Sequence, residues 1–205
     1  MSKLISFVLV RVVPKFTTWQ WWLLAVASLV ISQLTMGWLN GLYLASQFPV
    51  SIYEGQTAFS GETIKGYYAT LMDLGTFGKY VWVQIADYAF MLTVFISMLF
   101  TMIALYRLVP ERSFLKPIAK AMIFIAPLSA VSDALENLVS FFMLANPENF
   151  ANWIAVPYST FAVTKFALFS LSYLWIGIAI LAGISIYAFR LVRESAVAQR
   201  RATVK

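Results

Sequence analysis

The chain has 205 residues, 61% hydrophobic and 12% charged, with a formal net charge of +6 and neither cysteine nor histidine. A soluble domain is roughly 25% charged and 45–50% apolar, so this composition excludes a soluble fold and predicts one all-α integral membrane domain over residues 1–205. The missing residue types also exclude disulfides, Cys or His metal centres, His-ligated haem and any catalytic dyad or triad that needs His or Cys.

Residues 1–15 come first and read as an amphipathic in-plane segment. Lys3, Ser6, Arg11 and Lys15 share one side of a helical projection, with Leu4, Ile5, Val8, Leu9 and Val12 on the other, and the segment ends near Pro14. No charge then occurs until Glu54, and residues 19–44 form the first predicted span. Its apolar run is too long for the core of a signal peptide, so an uncleaved anchor is expected. Gly37-x-x-x-Gly41 within it reads as ordinary close packing.

A long loop, 46–79, follows. Within it Ser60 is suited to an N-cap and Gly75 to the position past a helix end, with Ile64, Tyr67, Tyr68, Leu71 and Leu74 as one apolar face. This predicts a short outer-face helix that packs over the bundle, with a lid as the alternative. The second span is predicted at 80–106 and the third at 121–145. Pro127 frees the carbonyl of Ile123 there and kinks the helix. The fourth span is predicted at 157–189, followed by a basic tail, 190–205.

Twelve of the fifteen basic residues lie in the N-terminal segment, the connection between spans two and three, and the tail; Lys65 and Lys79 lie opposite. The positive-inside rule then places both termini of this four-helix bundle in the cytoplasm. The basic segments are expected to contact anionic lipid, which accounts for the net charge without a nucleic-acid partner. Trp19, Trp21 and Trp22 are predicted at the inner interface, and Tyr80, Trp82, Trp153 and Tyr158 at the outer one.

The spans carry four ionisable groups: Asp87 in the second, Asp133 and Glu136 in the third, Lys165 in the fourth. Such groups usually face a protein interior or a water-filled cavity and mark functional sites. With a rise of about 1.5 Å per residue, Asp87 lies about 10 Å inside the outer surface, Lys165 about 12 Å, Glu136 and Asn137 about 12–14 Å, and Asp133 about 18 Å. Asn40 of the first span falls near the same level. Asp133, Glu136, Asn137 and Ser140 make one stripe of the third span, and Tyr80, Gln84, Asp87 and Met91 one stripe of the second. One polar layer in the outer half of the membrane is therefore expected. Three acids and one lysine sum to −2 when all are ionised, which a low-dielectric pocket resists. Lys165 is expected to pair with one carboxylate while another is neutral or cation-bound.

The residues Gly78-Lys79-Tyr80 with Asp87, Asp133-Ala-Leu-Glu-Asn137, Asn146-Pro147 and Thr164-Lys165 resemble a family of uncharacterised bacterial four-helix integral membrane proteins. The likeness covers roughly residues 60–175 and is loosest at Tyr88, directly after Asp87. It implies a shared pocket and a bacterial inner-membrane location, and brings no known activity with it.

The favoured expectation is an acid/base enzyme acting on a lipid or other lipophilic small molecule. Asp87, Glu136, Asp133 and Lys165 are its candidate catalytic residues, and Asn137, Gln84 and Asn40 its candidate substrate contacts. No cofactor and no metal are expected; Lys165 argues against a hard cation within the cluster. Two alternatives stand beside it: a proton-coupled transporter, and a lipid-binding or assembly protein, homo-oligomeric or not, whose polar cluster only sets helix register.

Overall fold

The computed structural model describes residues 3–203, with side chains for Lys3 and residues 5–186. Leu4 of the N-terminal apolar face and the side chains of the basic tail, 190–205, lie outside the described residues. Helix α1, Lys3–Phe7, runs through a π-helical turn, Val8–Val12, into a 3-10 turn, Val13–Lys15. The long helices are α2, Thr18–Ser46; α5, Phe77–Leu108; and α8, Ala155–Thr203. Short helices α3, Ile52–Gln56, and α4, Gly61–Asp73, lie between α2 and α5. The third span is two pieces, α6, Lys116–Ile125, and α7, Leu128–Leu144. Among the described residues four helical stretches are long and apolar enough to cross a membrane: Thr18–Ser46, Phe77–Leu108, Lys116–Leu144 and Asn152–Ile186.

The break in the third span falls at Ala126 and Pro127, where the ring cannot donate to the helical ladder. The Ser129 hydroxyl donates to the Ala126 carbonyl at 2.7 Å, just past the break. At α4 the Ser60 side chain accepts from the Thr63 amide at 3.2 Å. The other end closes with Gly75 at φ +66°, its amide on the Met72 carbonyl and that of Thr76 on Leu71. This is the glycine-terminated closure that satisfies the last carbonyls of a helix. Ile64, Tyr68 and Leu71 are buried over the helix ends, Tyr67 is half-buried, and Leu74 turns out to solvent because the closure reverses the chain there.

Helix α5 is the hub. It packs along α2 on one side and against α6, α7 and α8 on the other. Helix α8 packs mainly on α7, and α2 and α8 barely meet. The spans therefore form a row closed on three seams, with the α2–α8 seam open over α5. At the N-terminal end an apolar core holds Met102, Ile103, Ala104, Leu105, Ala119 and Ile123, all fully buried. Val8, Leu9, Val12 and Val13 pack onto it, while Lys3, Ser6, Arg11 and Lys15 are exposed. Trp21 is 1% exposed and donates its indole N–H to the Val13 carbonyl at 3.0 Å, so it is a core residue and not an interface anchor. Trp19 is exposed. Nothing packs against Gly37 or Gly41; both face outward from α2.

Candidate functional site

The open seam encloses a cavity of about 640 Å³. Its walls are α2 from Trp22 to Tyr43, α5 from Tyr80 to Thr101, and α8 from Tyr158 to Ile180. Leu29, Leu39, Val94, Phe169 and Ile176 make most of that wall apolar. Asp87, Asp133, Lys165 and Gln84 gather at one end, beneath a roof of Phe48, Ile52, Gly55 and Gln56. From Lys165 to Ile180 along α8 is a rise of about 22 Å. The cavity is thus a long slot with its charges at one end.

The roof is built by local sequence. Ser51 caps α3 by accepting from the Glu54 amide at 3.2 Å. A Cβ at Gly55 would lie 2.8 Å from the Phe48 ring, so glycine lets α3 sit directly on that ring. Phe48 in turn stacks on Tyr80 with centroids 4.6 Å apart, and the Tyr43 hydroxyl donates to the Val50 carbonyl at 2.9 Å. Tyr53 of α3 meets Phe166 of α8 at 5.1 Å. These contacts carry Gln56 over the cavity to Lys165.

Lys165 is 4% exposed and uses all three of its donors. Its ammonium donates to Asp133 Oδ1 at 2.7 Å and to Gln56 Oε1 at 2.9 Å, and it pairs with Glu136 Oε2. The helical spacing of Asp133 and Glu136 puts both acids on the α7 face that meets α8. The structure then divides them. Asp133 lines the cavity, whereas Glu136, 1% exposed, sits behind the lysine and off the wall. Asp87 is 9% exposed and lines the cavity from α5. Among the described residues its carboxylate has no hydrogen-bond partner; it lies within electrostatic reach of Asp133, Lys165 and Glu136.

Behind the wall runs a line of buried polar groups. Gln84 Nε2 donates to the Tyr80 hydroxyl at 3.2 Å. The Tyr80 hydroxyl meets that of Tyr158, which in turn meets the Glu136 carboxyl. Tyr80 and Tyr158 are 5% and 3% exposed, which corrects their expected place in the outer aromatic belt; Trp82 and Trp153 are the exposed pair. Asn137 donates to the Gln84 carbonyl at 2.6 Å and accepts from Ser140 at 3.0 Å, so it is consumed in tying α7 to α5. Asn40 is exposed and off the cavity wall. Leu39 and Tyr43, one turn apart, hold the inward phase of α2, and Asn40 lies about 100° round from Leu39.

Asp87, Asp133, Glu136 and Lys165 therefore meet, with Gln84 beside them and Asn40 apart. Gln56, Tyr80 and Tyr158 are the additions. A five-residue helix in a loop leaves no periodic trace, and a tyrosine near a span end reads as an interface anchor. Their one available signal was phase: Tyr80 shares the stripe of Gln84 and Asp87. Among the described residues no three carboxylates converge as metal ligands. The ensemble offers an unpartnered carboxylate and a lysine-bound carboxylate at one cavity end, a donor–acceptor set suited to acid/base work on a polar group. No protein-family model, curated protein or solved structure matches the chain.

Proposed function

We propose that this membrane protein is an acid/base enzyme that takes the polar end of a long-chain amphiphile from the bilayer into the α2–α8 cleft. One observation carries the reading: a single 640 Å³ cavity, open along an apolar seam, has Asp87, Asp133 and Lys165 at one end and hydrocarbon-like walls below. Ligand sites are typically apolar pockets with a few convergent polar groups. The open seam gives a lipid tail a place to lie without crossing a helix–helix contact.

In this reading Asp87 exchanges a proton with the reacting group, since no donor among the described residues competes for it. Lys165 holds Asp133 toward the cavity as a charged acceptor. Glu136, Tyr158 and Tyr80 position the lysine from behind. The protein sits in a bacterial inner membrane with both termini cytoplasmic, a placement supported by Arg107, Lys116 and Lys120 lying toward the N-terminal end of the bundle. The charged end of the slot then lies in the outer half of the bilayer.

Hydration and hydrolysis incorporate solvent atoms, and isomerisation through a carboxyl that exchanges with water takes up solvent hydrogen, so isotope uptake tests the reading without knowledge of the substrate. Purified protein is incubated with a membrane lipid extract in D2O or H2(18)O, and lipids are followed by mass spectrometry. One lipid class is expected to take up label, with the rate falling roughly 100-fold or more in Asp87→Asn. Bound lipid without label uptake overturns the enzyme. A carrier is the second reading, favoured by Ser32, Gln33, Ser97 and Thr101, which continue polar groups along the wall away from the roof; unlabelled lipid moved between vesicles would select it.

A further inference from the structure

The cavity end is charged unevenly, and the imbalance speaks to its ligand. Among the described residues Lys165 is the one cation in the cavity wall, and its three donors already rest on Asp133, Glu136 and Gln56. A phosphate or carboxylate head would find no free ammonium there, and two acids would face it. Asp87 is the opposite case. It is nine-tenths buried, turned into the cavity and without a hydrogen-bond donor among the described residues. Burying a carboxylate with nothing to pair it is costly, and a cation seated beside it removes that cost. The rings of Phe166 and Phe169 in the same wall offer faces to a cation, and Phe166 already takes Lys165 at 5.1 Å. Below the acids the slot continues mostly apolar along the α2–α8 seam, with Ser32, Gln33, Ser97 and Thr101 interspersed.

We propose that the amphiphile's head group is a protonated amine, with Asp87 as its counter-charge and the cleft holding its chain. This rests on the reading of the cleft as a lipid site and names the class of molecule it takes. An ammonium donates three hydrogen bonds, and Asp87 and the free lone pairs of Asp133 accept them. The head thus sits where the proposed proton exchange occurs, on the cavity side of Lys165.

Three ligands of equal chain length separate charge from chain: dodecylamine, dodecanol and dodecanoate, added to the protein in neutral maltoside micelles. Native mass spectrometry counts bound ligand, and thermal unfolding reads stabilisation. The amine is expected to bind at least about ten-fold more tightly than the alcohol, the scale of one charge-assisted bond, and dodecanoate least. Asp87→Asn should erase the preference for amine over alcohol. Leu29→Trp, filling the slot below the acids, should reduce all three. Equal binding of the three ligands, or tightest binding of dodecanoate, overturns the amine assignment while the cleft reading stands. Failure of all three to bind removes both. Should Asp87→Asn not fold, the order of the three ligands on the wild-type protein decides alone.

Discussion

Two lysine–carboxylate pairs of nearly equal length sit at opposite ends of this bundle. Lys116 meets Glu111 at 2.8 Å, with Glu111 80% exposed; Lys165 meets Asp133 at 2.7 Å, with both side chains about 5% exposed. The first lysine also donates to the Tyr106 and Val109 carbonyls and covers the Tyr106 ring. It closes the end of α5 and needs its carboxylate little. The second has only side-chain acceptors and sits in the wall of a cavity. Distance alone cannot rank them. Water screens the first pair, and its absence makes the second costly to assemble and costlier to break. The polar end of the slot is thus held by interactions that contribute little net stability when whole and cost much when one partner is removed.

The largest effect expected from breaking that contrast is at Lys165. Lys165→Met strands Asp133 and Glu136 and should cost about 3–5 kcal/mol, read as a large drop in the unfolding temperature in maltoside micelles. Adding Asp133→Asn and Glu136→Gln to it removes the stranded charges and should restore most of the loss. A triple variant as unstable as the single one would show that packing, not charge, holds the seam. Gly61→Ala comes next. Its Cβ would lie 2.6 Å from the Asn152 Cα, so α4 must lift; a cost of about 1–3 kcal/mol is expected, with faster proteolysis of the roof loops.

Tyr158→Phe removes the hydroxyl that supports Glu136 and should cost about 0.5–1.5 kcal/mol. A larger loss of isotope uptake than of stability would mark Tyr158 as a positioning residue. Asp87→Asn carries the opposite sign from Lys165→Met: it breaks no bond, so stability should hold or rise by up to about 2 kcal/mol while turnover falls. At the exposed end Glu111→Gln should stay within about 0.5 kcal/mol. The smallest effect is at Glu62, whose carboxyl is held below its ordinary value by the Asn152 hydrogen bond and then by Lys65. A lowered folded value means its contribution is present above the ordinary Glu value of about 4.5 and lost as pH falls through the folded one. Loosening of α4 on acidification, absent in Glu62→Gln, checks this by hydrogen exchange.

Much of this architecture is legible in the sequence because helix rise converts spacing into depth. That conversion brought Asp87, Asp133, Glu136 and Lys165 into one layer, and the missing amide of Pro127 marked the break. It is blind to azimuth, which is why Asn40, at the right depth, faces away. It is blind also to which seam stays open: α2 and α8 carry apolar residues on every side, and only the packing of both against their neighbours leaves the gap. Tyr80 and Tyr158 had the composition of a belt and the burial of a core. Gln56 depends on Gly55 lying against Phe48, a contact between residues of one short loop that no periodicity announces.

The central claim, that the α2–α8 cleft holds a particular long-chain lipid, is tested most directly by photo-crosslinking in native membranes. A benzoylphenylalanine at Phe169 reports on the cleft wall, and one at Leu181, 67% exposed and outside that wall, reports on bulk lipid. Mass spectrometry of the adducts should show one lipid class strongly enriched at 169 and the ordinary membrane mixture at 181. The same mixture at both positions would contradict the account.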